Sequence, residues 1–217
     1  MKELRSFTPL RLIIYLIGII ILAAGITLNT KSGLGVSPVI SVAYIISMKT
    51  GILFATLTFV EYCALIVLQI VLLRRDFSPF QFLQIGCSFF TSFFIGIYEK
   101  YLPTASSVIG QYVTLLLAIF LTSVGISLTV NMKVVPNPAD GLANAIAKTL
   151  KKDLGYGKNL LDFSCLAITI VLSFLFLGRL AGVGIGTVVT MILTGRFVAM
   201  ERGLTKKLTD WVFNNNE

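Results

Sequence analysis

The sequence predicts an all-α integral membrane protein made of two repeats. Three observations carry this: an apolar composition, long apolar runs at membrane-spanning length, and an internal similarity at an offset of one hundred residues. Of the 217 residues 56% are hydrophobic and 13% charged, with a mean hydropathy of +0.89. Soluble domains are roughly half apolar and about a quarter charged, so a water-soluble globule is excluded.

The runs occupy residues 12–28, 52–73, 80–97, 113–130, 160–177 and 183–200. Each approaches the roughly 20 residues that cross a hydrocarbon core, so six crossings are expected. Lys2, Arg5 and Arg11 precede the first run, which passes through Ala23-Ala24-Gly25 like the end of a signal peptide. A near copy recurs deep in the chain, so residues 10–30 are read as a permanent helix.

The repeat is visible residue by residue. Gly25-Ile26-Thr27-Leu28 returns as Gly125-Ile126-Ser127-Leu128, and the same offset sets Pro38 on Pro138, Ser37 on Asn137 and Ile85-Gly86 on Ile185-Gly186. With one slipped residue it also sets Glu61 on Asp162. One membrane domain over 1–217 therefore divides into a first repeat at 10–100 and a second at 108–203. Internal periods of this kind decide the fold before any local feature does.

Each half reads as a long helix, an irregular Gly- and Pro-bearing stretch, a short helix and two more long helices. The short helices begin at Pro38 and Pro138, where proline lacks only an amide that the first helical position leaves unused. Ser37 and Asn137 precede them as N-cap residues, and Asp140 can sit against the exposed amides of its own helix. About twelve residues cover roughly 18 Å, short of a roughly 30 Å core. Neither short helix crosses unaided.

Loop charges set the orientation. After the first short helix only Lys49 appears, whereas Lys148, Lys151, Lys152 and Lys158 follow the second. The contrast reverses between the last two helices of each half, with Arg74-Arg75 in the first and Arg179 alone in the second. If cation-rich loops face the cytoplasm, the halves are inverted, with three crossings and one re-entrant helix each and both termini cytoplasmic. Thirteen cations then lie inside and four outside, Arg196 omitted, against twelve and five for four parallel crossings per half. The local contrast favours inversion.

Several chemistries are set aside. The cations cluster between apolar runs without an interleaved aromatic surface, so the formal charge of +8 is read as a topology signal and no nucleic-acid partner is expected. Cys63, Cys87 and Cys165 lie inside apolar runs without C-x-x-C spacing, and histidine is absent. No metal site, cofactor or enzymatic activity is expected. Gly182, Gly184 and Gly186 lack the strand and lysine of a phosphate loop and read as helix-packing positions. Asn137-Pro138-Ala139 looks like the aquaporin box, but the short helix follows the first crossing here and Ser37-Pro38-Val39 is no companion box.

Lys31-Ser32-Gly33-Leu34-Gly35-Val36-Ser37-Pro38, Pro136-Asn137-Pro138-Ala139-Asp140-Gly141-Leu142 and Gly182-Val183-Gly184-Ile185-Gly186-Thr187 together resemble the YczE/YitT-like bacterial membrane proteins. The resemblance covers nearly the whole chain and implies a multi-pass protein of the bacterial plasma membrane, with uptake of vitamin-like compounds suspected for some members. Where that family often has Trp-Asp after the first proline, this chain has Val39-Ile40. Only Asp140 carries its acidic position.

Breaks at membrane depth are tolerated where they line a wet cavity, and inverted-repeat transporters place their sites there. The expected substrate-binding residues are Ser37, Pro38, Val39, Asn137, Pro138, Asp140, Asn144 and Tyr44, with Tyr15 and Tyr62 as further aromatic walls. Free amides at Val39, Ile40, Ala139 and Asp140 favour a polar or anionic group. Glu61 and Asp162, costly inside apolar helices, are the candidate proton- or cation-coupling pair. The leading function is a secondary transporter of a small polar or anionic solute. The alternatives are a non-transporting substrate-binding or regulatory subunit, with an accessory partner or a second copy, and a channel.

Overall fold

The computed structural model of the chain describes residues 9–214, and among them every regular element is helical. The helices are α1 (Pro9–Lys31), α2 (Pro38–Thr50), α3 (Phe54–Leu73), α4 (Leu83–Tyr101), α5 (Val108–Asn131), α6 (Pro138–Leu150), α7 (Leu154–Leu177) and α8 (Ile185–Asn214). The short helices start at the two prolines that the sequence marks, and each is 13 residues long. Asp153 and Ser107 cap α7 and α5 by accepting the Tyr156 and Gly110 amides. Gly51, at φ 73°, closes α2 in the left-handed conformation.

Among the described residues five helices are long and apolar enough to cross a membrane: Pro9–Lys31, Phe54–Asp76, Pro79–Tyr101, Val108–Asn131 and Leu154–Leu177, the second and third with their 3₁₀ turns. The chain is a multi-pass membrane protein. The expected sixth run differs. Residues 183–184 belong to a loop, and among the described residues the apolar part of α8 is Ile185–Val198, about 21 Å long at 1.5 Å per residue.

The outer surface is apolar, with Val67, Val71, Phe93, Leu116, Val171 and Phe174 among the exposed side chains. The interior carries the polar groups: Thr27, Ser41, Thr58, Gln69, Gln84 and Thr169 have no exposed surface. Lipid satisfies the first arrangement, and internal hydrogen bonds must satisfy the second.

The packing begins with α1 against α5, the most extensive helix pair in the fold. They run antiparallel, because Gly18 meets Leu128 and Thr129 whereas Gly25 meets Thr122 and Gly125 meets Leu22. A Cβ on Gly25 would sit 2.5 Å from the Thr122 amide nitrogen, and one on Gly125 2.6 Å from that of Leu22. Only glycine lets the backbones approach so closely. Helix α4 flanks α1 and α8 flanks α5, while α2 packs on α3 and α7, and α6 packs on the same two.

After α5 the chain doubles back along α1. Arg11 donates to the Met132 carbonyl at 2.6 Å and Tyr15 to the Val135 carbonyl at 3.0 Å, which returns Asn137 to the middle of the bundle beside Ile19 and Leu22. After α1 the chain also turns back, but here backbone holds backbone: the Val36 amide donates to Gly182 and the Gly186 amide to Leu34, both at 2.8 Å. Gly35, at φ 116°, leaves room for Thr187.

Candidate functional site

Both returning segments deliver a helix N-terminus to one small cavity of about 70 Å³. From the first come Ser37, Pro38, Val39 and Ile40; from the second, Asn137, Ala139 and Asp140. Asp162 and Lys158 enter from α7, Tyr62 from α3, Thr190 and Thr194 from α8, and Asn29 from α1.

The two helix ends differ in their capping. The Asn137 side chain accepts the Ala139 amide at 3.0 Å, as its residue type predicts. Ser37 makes no side-chain cap bond, a departure from expectation, and its own amide donates to Asn29 Oδ1 at 2.7 Å. Asn29 also donates to Thr190 at 2.9 Å, so one buried amide ties α1 to α8 and to the start of α2. Asp140 does not cap its helix either. Asn137 takes that role, and the Asp140 side chain is left to border the cavity.

The charged groups are Asp140, Asp162 and Lys158. Asp162 is 3% exposed, and Lys158 Nζ lies 3.9 Å from its Oδ2, an ion pair too long for a direct hydrogen bond. Lys158 acts electrostatically on Asp140 as well. Two carboxylates thus share one ammonium group.

Of the sequence-predicted residues, Ser37, Pro38, Val39, Asn137, Asp140 and Asp162 line this cavity. Pro138 lies behind it, where its carbonyl accepts from Gln69 at 3.1 Å. Asn144 is exposed, one turn further along α6, and is outside the cavity. Tyr44 points away, edge-on to Phe54 at 6.0 Å. Glu61 is also outside, its Oε2 accepting the Ala43 amide at 3.3 Å. Its neighbour Tyr62 takes the place by the cavity and interacts with Asn137.

Asn29, Thr190 and Thr194 join the cavity without being among the residues that the sequence singles out. A signal existed, since Thr187, Thr190 and Thr194 recur at helical spacing on one face of an otherwise apolar helix. A second space of about 460 Å³ adjoins the cavity between α7 and α8, and Lys158 and Met191 line both.

Comparison with known proteins adds a family. A model described as a family of unknown function (DUF6198) matches residues 9–202. The chain belongs to this family. It is also 27% identical over 184 residues to the uncharacterized protein YyaS of Bacillus subtilis (strain 168), covering 83% of this chain and 87% of that one. No solved structure matches it.

Proposed function

We propose that the chain is a secondary transporter of a small polar or charged solute in the bacterial plasma membrane, a YczE/YitT-like protein with inverted halves and cytoplasmic termini. The observation that carries the reading is the convergence of two short-helix N-termini, one from each half, on a cavity containing Asp140, Asp162 and Lys158. Buried ionisable groups in a membrane protein are costly and mark solute or ion paths, and broken helices at the repeat interface are where carriers bind.

Reciprocal contacts support the inversion. At the hundred-residue offset, Gly25 on Thr122 is the counterpart of Gly125 on Leu22, and Ser41 on Thr169 (2.6 Å) that of Gly141 on Gln69. Exchanging the halves reproduces both contacts. Lys148 pairs with Asp76 at 3.0 Å, which supports assigning the Arg74-Arg75 turn and the lysines after α6 to one face, cytoplasmic by the positive-inside rule. On this reading α8 is the sixth crossing. The space between α7 and α8 is the route from that face to the cavity.

Asp162 is the coupling acid on this reading, and Glu61 a packing group. The test is exchange in liposomes preloaded with small charged and polar solutes. Saturable counterflow is expected, and Asp162→Asn should abolish accumulation driven by a proton gradient, which Glu61→Gln should retain. Flux that never saturates identifies a channel, and no flux of any solute identifies a non-transporting subunit.

A further inference from the structure

The unequal ends of the two short helices, together with one unpartnered hydroxyl, narrow the solute. The first turn of α2 offers the Val39 and Ile40 amides to the cavity without a side-chain cap, and Ser37 to Ile40 include no acid. With the positive end of a helix dipole, that is a seat for a carboxylate. The α6 end is the opposite. Asn137 already caps it, and Asp140 with Asp162 places two carboxylates there against the single ammonium of Lys158. An ammonium group on the solute would find two carboxyl groups there to pair with.

Thr194 is the independent sign of a missing ligand. It is 7% exposed and lines the cavity, and its Oγ1 has no hydrogen-bond partner. Buried threonines in this fold normally donate to the carbonyl one turn back, as Thr27 does to Ala23 and Thr58 to Phe54. A native buried hydroxyl left unsatisfied calls for an explanation, and a bound polar group supplies one. The volume of about 70 Å³ holds roughly five to seven groups of water size.

We propose that the site takes a small zwitterion of five to seven non-hydrogen atoms, its carboxylate on the α2 N-terminus and its ammonium between Asp140 and Asp162, with Thr194 bonded to it. This rests on the transport reading and deepens it. Glycine and β-alanine have the required groups and size, while acetate and methylamine each carry one half.

Thermal shift on the purified full chain reads the binding, because a ligand of the native state raises Tm by mass action. Glycine or β-alanine should raise Tm at concentrations at least tenfold lower than acetate or methylamine. Thr194→Val should raise the Tm of the ligand-free protein, since it removes an unsatisfied hydroxyl, and weaken glycine about tenfold. A residue that only packs would not combine those two changes. Ser37→Asp should fold, as Asp is an able N-cap, yet abolish the response to glycine while sparing that to methylamine. Acetate or methylamine matching glycine, or no response to either zwitterion, overturns the proposal. Saturable exchange of an uncharged solute such as glycerol with no response to glycine would overturn it and leave the carrier standing, whereas absence of all exchange removes the carrier itself.

Discussion

Two cavities flank the meeting point of the short helices, and they are unequal. The one against α8 holds about 70 Å³; the one against α4 holds about 10 Å³, room for one water at most. Asn29, Ser37, Pro38 and Met191 line the first, and Thr129, Asn137, Pro138 and Thr91, each one hundred residues away, line the second. The same positions that border open space on one side close on the other. The closure is made by side chains: Gln69 and Gln84 exchange amide hydrogen bonds at 3.1 and 3.2 Å and join α3 to α4, whereas α7 and α8 scarcely touch among the described residues. A shared backbone frame thus carries two different polar fastenings, a difference that the proposed carrier, with one access open and one shut, would need.

The frame itself is tested by the glycines. Gly25→Ala and Gly125→Ala each drive a Cβ into opposing backbone that cannot yield, and each should cost about 3 kcal/mol of stability in detergent. Equal losses sharpen the symmetry, and one neutral substitution breaks it. The closed fastening comes next. Gln84→Ala leaves the buried Gln69 side-chain oxygen without its donor, and should cost about 2 kcal/mol in chemical denaturation while increasing exchange of the α3 and α4 amides.

Capping separates the two short helices by a smaller amount. Asn137→Ala should cost about 1 kcal/mol, and Ser37→Ala close to nothing, because only Asn137 makes the cap bond. Equal costs would contradict the assigned difference. The smallest effect is expected at Lys148→Ala, where the pair with Asp76 is largely exposed. A loss of about 0.5 kcal/mol or less in the same assay is consistent with that.

Much of the fold is legible in the sequence because its signals are local. Proline at a first helical position and asparagine before it mark where α6 starts, and the repeated glycines mark where α1 and α5 touch. The site was legible only in part, because rotation about a helix axis decides which side chain faces inward. Tyr44 lies six residues past Pro38, about 240° around the helix at 3.6 residues per turn, and faces away from the cavity. Pairing Glu61 with Asp162 required a slip of one residue, which turns a side chain by about 100°. The unslipped mate of Asp162 is Tyr62, and these two line the cavity. Ser37 has the residue type of a cap, yet its side chain makes no cap bond and its amide is held by Asn29, eight residues earlier. That contact depends on the chain turning back, which no local pattern encodes.

In the proposed carrier the cavity is reached from the cation-rich face and sealed from the other. Gly195 stands in the space between α7 and α8, with nothing within 4 Å of a Cβ added there, so Gly195→Cys is sterically free. With Cys63, Cys87 and Cys165 replaced, a membrane-impermeant thiol reagent should label this position rapidly from the cation-rich face, hardly at all from the opposite face, and more slowly once glycine is bound. Equal labelling from both faces would mean a continuous pore, and no labelling from either would mean solid packing; both contradict the account.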